Sequence, residues 1–234
     1  MICTGFIFLV LPAHAVTPIY TIDTTSFWTG GGVAALGGNG VAAYGQTITA
    51  PSDSVLQSFS FFIQGFDNTL PVEFKAYVAG WNNGPGVFRP SSSVLFTSPV
   101  MTSAGGSGGW EEVTVNTGNL LLTPGNQYVL FLGTYGLFQG IQYQLQGGYI
   151  ESGSVYAGGE FVYDGQGASN ASLGRIAANP WDVPLANQPG DDAAFIANFQ
   201  PTPEPGTVTL LLAFSSAGAL ILKRRAKGSL RSVS

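Results

Sequence analysis

Cysteine and histidine are almost missing from this 234-residue chain. There is one of each, Cys3 and His14, both within the first fifteen positions. Residues 16–200 therefore hold no disulfide, no Cys/His zinc site, no cysteine nucleophile and no Ser-His-Asp triad. Charge is scarce as well. Charged residues make up 9% of the sequence, against ~25% in soluble globular domains, which excludes a coiled coil and a disordered acidic chain. Basic charge is scarcer still: between Val16 and Gln200, Lys75, Arg89 and Arg175 stand against twelve acidic residues, a formal −9. Such a surface repels phosphate backbones, so no nucleic-acid partner is expected. Between the two ends no segment carries an apolar stripe of period 3.6, and there is no internal repeat.

What is abundant points to strands and turns. Glycine occurs 33 times, about twice the usual ~7%, and aromatics reach 12%. Apolar residues recur with period two. Phe59, Phe61 and Ile63 form one such face; Val72, Phe74, Ala76 and Val78 another; Ile141, Tyr143 and Leu145 a third; Phe195, Ala197 and Phe199 a fourth. Further strands are expected at Val41–Thr49, Val94–Val100, Trp110–Val115 and Gln127–Leu132. Turn formers such as Asn82-Asn83-Gly84-Pro85-Gly86 and Thr123-Pro124-Gly125-Asn126 punctuate the gaps. Alternation of this kind predicts half-buried antiparallel strands. The fold class expected for residues 16–200 is all-β, an antiparallel two-sheet sandwich, jelly-roll-like, of eight to ten short strands. A domain of ~180 residues buries enough apolar surface to do without disulfides.

The two ends read differently from the body. Residues 1–15 are an apolar run closing on Ala13-His14-Ala15, the small-x-small pattern that a signal peptidase cuts after Ala15. The usual positive charge ahead of the run is missing, which leaves room for a start upstream of Met1. At the other end a short linker, residues 201–206, contains Pro203-Glu204-Pro205-Gly206. Sixteen uncharged residues follow, 207–222, and then a basic tail, 223–234, that opens with Lys223-Arg224-Arg225. Sixteen helical residues span ~24 Å, short of the ~30 Å hydrocarbon core, a gap that snorkelling basic side chains and local thinning can bridge. The basic cluster places the tail in the cytoplasm and the body outside.

This ordered trio of Pro203-Glu204-Pro205, an apolar helix and Lys223-Arg224-Arg225 resembles the PEP-CTERM sorting signal of Gram-negative bacteria. The resemblance covers about 30 residues. It implies recognition in the inner membrane by an exosortase, cleavage near the Pro-Glu-Pro, and delivery to the cell surface or extracellular matrix. Two stretches of the body, Trp110 to Leu130 and Tyr156 to Phe195, look like bacterial surface β-sandwiches found ahead of such signals. Those domains are similar in architecture to carbohydrate-binding modules, a likeness that bears on fold more than on function.

Motifs within the body weigh little. Gly105-Gly106-Ser107-Gly108-Gly109 matches a nucleophile elbow, yet no histidine base and no following helix support it. Gly38-x-Gly40-x-x-Ala43 lacks the βαβ unit that a dinucleotide site requires. Neighbours on a strand face opposite ways, so neither Glu111-Glu112 nor Asp191-Asp192 can be a cooperating glycosidase pair. Distant carboxylates such as Glu73 and Glu160 could still converge. Tyr77 and Trp81 share one strand face with Asn82 and Asn83 beside them, a possible sugar platform; the competing reading is that Trp81 tucks under the following loop and caps the core, since tryptophan is usually well buried. Asp191 and Asp192, with Asp164 and Asp23 as possible partners, are candidate ligands for a structural calcium ion; otherwise no cofactor is expected.

The expectation is therefore an exported, non-enzymatic surface or matrix protein, associated with biofilm or exopolysaccharide and anchored in the membrane through its C-terminal helix until processed. A carbohydrate-binding module and a polysaccharide-active hydrolase or lyase are the alternatives. A shallow groove with unpaired amides would favour binding, and two carboxylates across a deep cleft would favour the enzyme.

Overall fold

The longest strands form where apolar alternation is cleanest. A computed structural model describes residues 20–65, 70–84, 87–104, 109–151, 153–182 and 191–201. In chain order the strands are β1 (Tyr20–Asp23), β2 (Gly32–Gly37), β3 (Val41–Thr49), β4 (Val55–Gly65), β5 (Glu73–Gly84), β6 (Val87–Thr97) and β7 (Met101–Thr102). They continue as β8 (Glu111–Leu121), β9 (Gln127–Gly133), β10 (Gln144–Ile150), β11 (Phe161–Gly167), β12 (Asp192–Ala193) and β13 (Phe195–Gln200). Three single 3₁₀ turns, Thr25–Phe27, Ala168–Asn170 and Leu173–Arg175, are the helical elements among the described residues. The fold is all-β.

The chain divides into two compact units, Met1–Gln200 and Pro201–Ser234. The signal residues Ala13 and Ala15, the sorting residues Pro203, Glu204, Pro205, Lys223, Arg224 and Arg225, and the helix expected over 207–222 all lie outside the described residues.

The strands of the first unit join in one hydrogen-bonded network of order β1-β13-β4-β10-β2-β3-β9-β5-β6. On its flanks β8 pairs with β4, β11 with β3, β7 with β5 and β12 with β10. Every ladder is antiparallel except a single bridge, Leu36 to Val41, where β2 and β3 run parallel. That departure from a wholly antiparallel arrangement has a local cause. Gly37 and Gly38 both have positive φ, which glycine adopts without steric cost, so the chain can sidestep and resume in the same direction. The strand expected to begin at Ile141 begins three residues later: Ile141 is 66% exposed, and β10 starts at Gln144.

Two apolar clusters hold the unit together. In the first, Phe59, Phe61 and Ile63 of β4 and Phe195, Ala197 and Phe199 of β13 meet Tyr44 and Ile48 of β3, Phe74, Ala76 and Val78 of β5, and Leu130 and Leu132 of β9. Each buried phenylalanine there contributes about 2 kcal/mol relative to exposure. The second cluster uses the opposite faces of β5 and β9, with Tyr77, Ala79 and Trp81 beside Val129 and Phe131. It is covered by the segment 168–182, which lays Ile176 and Trp181 across those residues. Both faces of β5 and β9 are thus buried. Fully enclosed strands of this kind read as unbroken apolar runs, and Tyr128-Val129-Leu130-Phe131-Leu132 is one.

Candidate functional site

Trp81 and Tyr77 lie on the covered face of β5. Tyr77 is 1% exposed and stacks on Phe131, centroids 4.9 Å apart. Trp81 is 8% exposed and meets Trp181 edge to face at 6.0 Å. Trp181 is fastened in turn by its backbone N–H to the Phe88 carbonyl (2.6 Å) and by its indole N–H to the Ile176 carbonyl (3.2 Å). So neither ring offers an open face for stacking. Asn82 and Asn83, by contrast, are exposed on the last turn of strand before the hairpin to β6.

Asp191 and Asp192 form a buried corner beside β3 and β10. Asp192 is fully enclosed, and its carboxylate is met by three N–H donors. Gln46 Nε2 reaches Oδ1 at 2.7 Å, while the backbone N–H groups of Val155 and Tyr156 reach Oδ2 at 2.9 and 2.8 Å. Gln46 returns the connection by accepting the Ala193 N–H through Oε1 at 2.8 Å. Burial pushes the Asp192 carboxyl above its ordinary range, and these three donors pull against that shift. The Asp191 carboxylate accepts the hydroxyl of Tyr149. Tyr149 itself is pushed well above the usual phenol range, by burial first and then by this carboxylate.

The other carboxylates keep to separate places. Asp164 is buried beneath the 168–182 segment, where Oδ2 accepts the Tyr135 hydroxyl at 2.8 Å and Oδ1 the Gln166 N–H at 3.1 Å. Desolvation raises its pKa, with Arg175 nearby acting in the opposite sense. Asp23 caps its own turn, accepting from the backbone and hydroxyl of Thr25 at 2.8 and 2.6 Å. Among the described residues no three Asp, Glu, His or Cys side chains are grouped closely enough to hold a metal ion. Glu73 opens β5, whereas Glu160 shares a cavity with Asn83, ten residues further along that strand. At ~3.3 Å per residue the two ends are roughly 30 Å apart, so these carboxylates do not face each other across one cleft.

Two open depressions flank the start of β9, and Gln127 lines both. One, of about 530 Å³, is bordered by Gly80, Trp81, Ser91, Leu95, Asn126 and Tyr128. The other, of about 390 Å³, is bordered by Thr47, Asn83, Ser154, Ala157, Gly159 and Glu160. Three adjacent strands build this second one: Thr47 comes from β3, Gln127 from β9 and Asn83 from β5. The loop before β11 closes it, tied to β3 by the Glu160 N–H to Thr47 Oγ1 (2.8 Å) and the Thr47 N–H to the Glu160 carbonyl (2.8 Å). Gly159 makes this close approach feasible, because a Cβ there would run into the Thr47 carbonyl. Glu160 is half-buried and its pKa is raised, by desolvation first and by Asp192 second. The amides of Asn83, Asn126 and Gln127 have no hydrogen-bond partner among the described residues.

Of the residues expected at a sugar platform, Asn83 thus borders one depression and Trp81 the other, while Tyr77 borders neither. Gln127, Asn126 and Thr47 were not singled out by pattern. The one available signal was an amide at the head of a strand whose same-face successors, Val129 and Phe131, are apolar. Compared with known proteins, the chain matches no family model, no curated sequence and no solved structure.

Proposed function

We propose that this chain is an exported protein of the bacterial surface or extracellular matrix, carried there by a PEP-CTERM-like sorting signal. The observation that carries the reading is the order of Pro203-Glu204-Pro205, sixteen uncharged residues and Lys223-Arg224-Arg225. A signal peptidase acting after Ala15 and an exosortase acting near Glu204 are the processing partners. The precursor sits in the inner membrane through residues 207–222, with its basic tail in the cytoplasm. The body is read as a jelly-roll-like sandwich, a reading supported by side chains of β4, β8 and β13 sharing the first apolar cluster with those of β3, β5 and β9. Its role is non-enzymatic and its partners exclude nucleic acid. A body of formal charge −9 without cysteine or histidine suits exposure outside the cell, where solubility and freedom from thiol chemistry matter.

A second reading, carbohydrate binding, is favoured by the open depressions with unpaired amides beside β9. Among the described residues, Glu73 and Glu160 stand too far apart to face each other across one cleft, so they lend no support to the polysaccharide-active alternative.

The sorting reading is tested by pulse-chase labelling of the full chain and of a Pro203-Glu204-Pro205→Ala variant in a host with an exosortase. The wild type should mature to a shorter, released form while the variant stays in the membrane fraction. Equal maturation of both would end the proposal.

A further inference from the structure

Two amides on neighbouring strands, Asn83 and Gln127, line a cavity of about 390 Å³ and have no hydrogen-bond partner among the described residues. That volume falls within the ~300–1,000 Å³ of ligand sites. Gln127 stands one residue beyond the Gly80–Tyr128 pair, so its strand neighbour across the ladder is the end of β5 that carries Asn83. An amide offers two donors and an acceptor at once. A sugar hydroxyl needs the same mixture, whereas a phosphate or carboxylate needs donors alone. The Thr47 hydroxyl is already engaged with Glu160 and serves as floor. Ala157, Gly159 and Ser154 keep the mouth open by being small.

The charge around the cavity narrows the choice. Its lining holds one carboxylate, Glu160, with Asp192 close enough to raise the Glu160 pKa, and neither lysine nor arginine. A uronate or sulfate group entering here would meet like charge with no lysine or arginine in the lining, which disfavours it. We infer that this cavity binds an uncharged saccharide chain through hydrogen bonds from Asn83 and Gln127, with Glu160 at the rim setting the site against anionic glycans. The inference rests on the carbohydrate-binding reading above. It moves the site from the ring of Trp81, which Trp181 and its own burial deny to a sugar, to the amides at the same end of β5 and β9.

The test is a glycan array probed with the full chain in mild detergent. It carries a neutral β-glucan and a galactomannan beside alginate and hyaluronan. The wild type should bind the neutral polymers and leave the anionic ones. Asn83→Ala and Gln127→Ala should each weaken binding about tenfold, as expected for the loss of one or two hydrogen bonds, with melting temperature unchanged because neither side chain has a hydrogen-bond partner among the described residues. Glu160→Gln should narrow the ratio of neutral-polymer to alginate binding. Neutral binding that survives both amide variants, or preference for alginate by the wild type, would overturn this site while leaving carbohydrate binding elsewhere on the body intact. A wild type that binds no polymer on the array would remove both readings.

Discussion

A buried carboxylate with no cation beside it has to be held by donors, and Asp192 is held by three. Its neighbour Gln46 uses both ends of its amide, giving to Asp192 and accepting from Ala193, so the two side chains clamp β3, β12 and the 153–160 loop at one point. Removing the carboxylate would leave three donors unsatisfied in a site closed to water, at ~1–3 kcal/mol each. Asp192→Ala should therefore lower the unfolding free energy by about 3 kcal/mol or more, read from urea denaturation. Asp23→Ala, which breaks only an exposed turn, should cost less than ~1 kcal/mol. Comparable losses in the two variants would show that the clamp does not carry the stability assigned to it. Adjacent acidic residues before a last strand read more readily as metal ligands or turn formers. Nothing in the sequence pairs Gln46 with a residue 146 positions away, and that is why the clamp was not legible.

At the scale of elements, the segment 168–182 has no regular structure beyond two single turns, yet it covers the apolar patch of Tyr77, Ala79, Trp81, Val129 and Phe131 on β5 and β9. Trp181 is its anchor, edge-on to Phe131 at 5.1 Å and to Trp81 at 6.0 Å. Trp181→Ala should cost about 3–5 kcal/mol and speed hydrogen exchange in β5 and β9. If exchange there is unchanged, the segment is ornamental. Legibility followed the same division. β3, β4, β5, β9 and β13 were read from alternation or apolar runs because each buries at least one face under ordinary apolar side chains. β2 was missed because Gly32, Ala34, Ala35 and Gly37 give no alternation to detect. β11 was missed because Asp164 and Gly165 imitate a turn. The covering segment was missed because its contacts join residues some fifty to a hundred positions apart, and only the unbroken apolar run in β9 hinted that something must lie above it.

For the whole molecule, the carboxyls of Glu160, Asp164 and Asp192 are all raised, with desolvation as the leading cause in each. The folded state then binds protons more tightly than the unfolded chain. The stability linked to these groups is complete below the ordinary carboxylate range and is lost as pH rises through their folded values. Mutual repulsion in a body of formal charge −9 acts in the same direction. The melting temperature should accordingly climb as pH is lowered from neutrality towards the ordinary carboxylate range of about 4. A flat or falling profile by differential scanning fluorimetry would contradict that linkage.

The pairing of the first described strand with the last sets a clock. Among the described residues β1 has no ladder partner but β13, with Tyr20 opposite Phe199, and Thr21 bonds Asn198 across 177 positions. β13 must also slot against β4 before Phe195, Ala197 and Phe199 reach the core. At ~5–20 residues per second, the ribosome needs roughly ten to thirty-five seconds to supply that intervening stretch. Throughout this time the opening strand has nothing to bind and the sheet lacks a member beside its central strand. A chain that stays incomplete so long is sticky for the same interval, because its strand edges are unpaired. On the export route proposed above, the arrangement that delays closure would also keep the polypeptide threadable for that time.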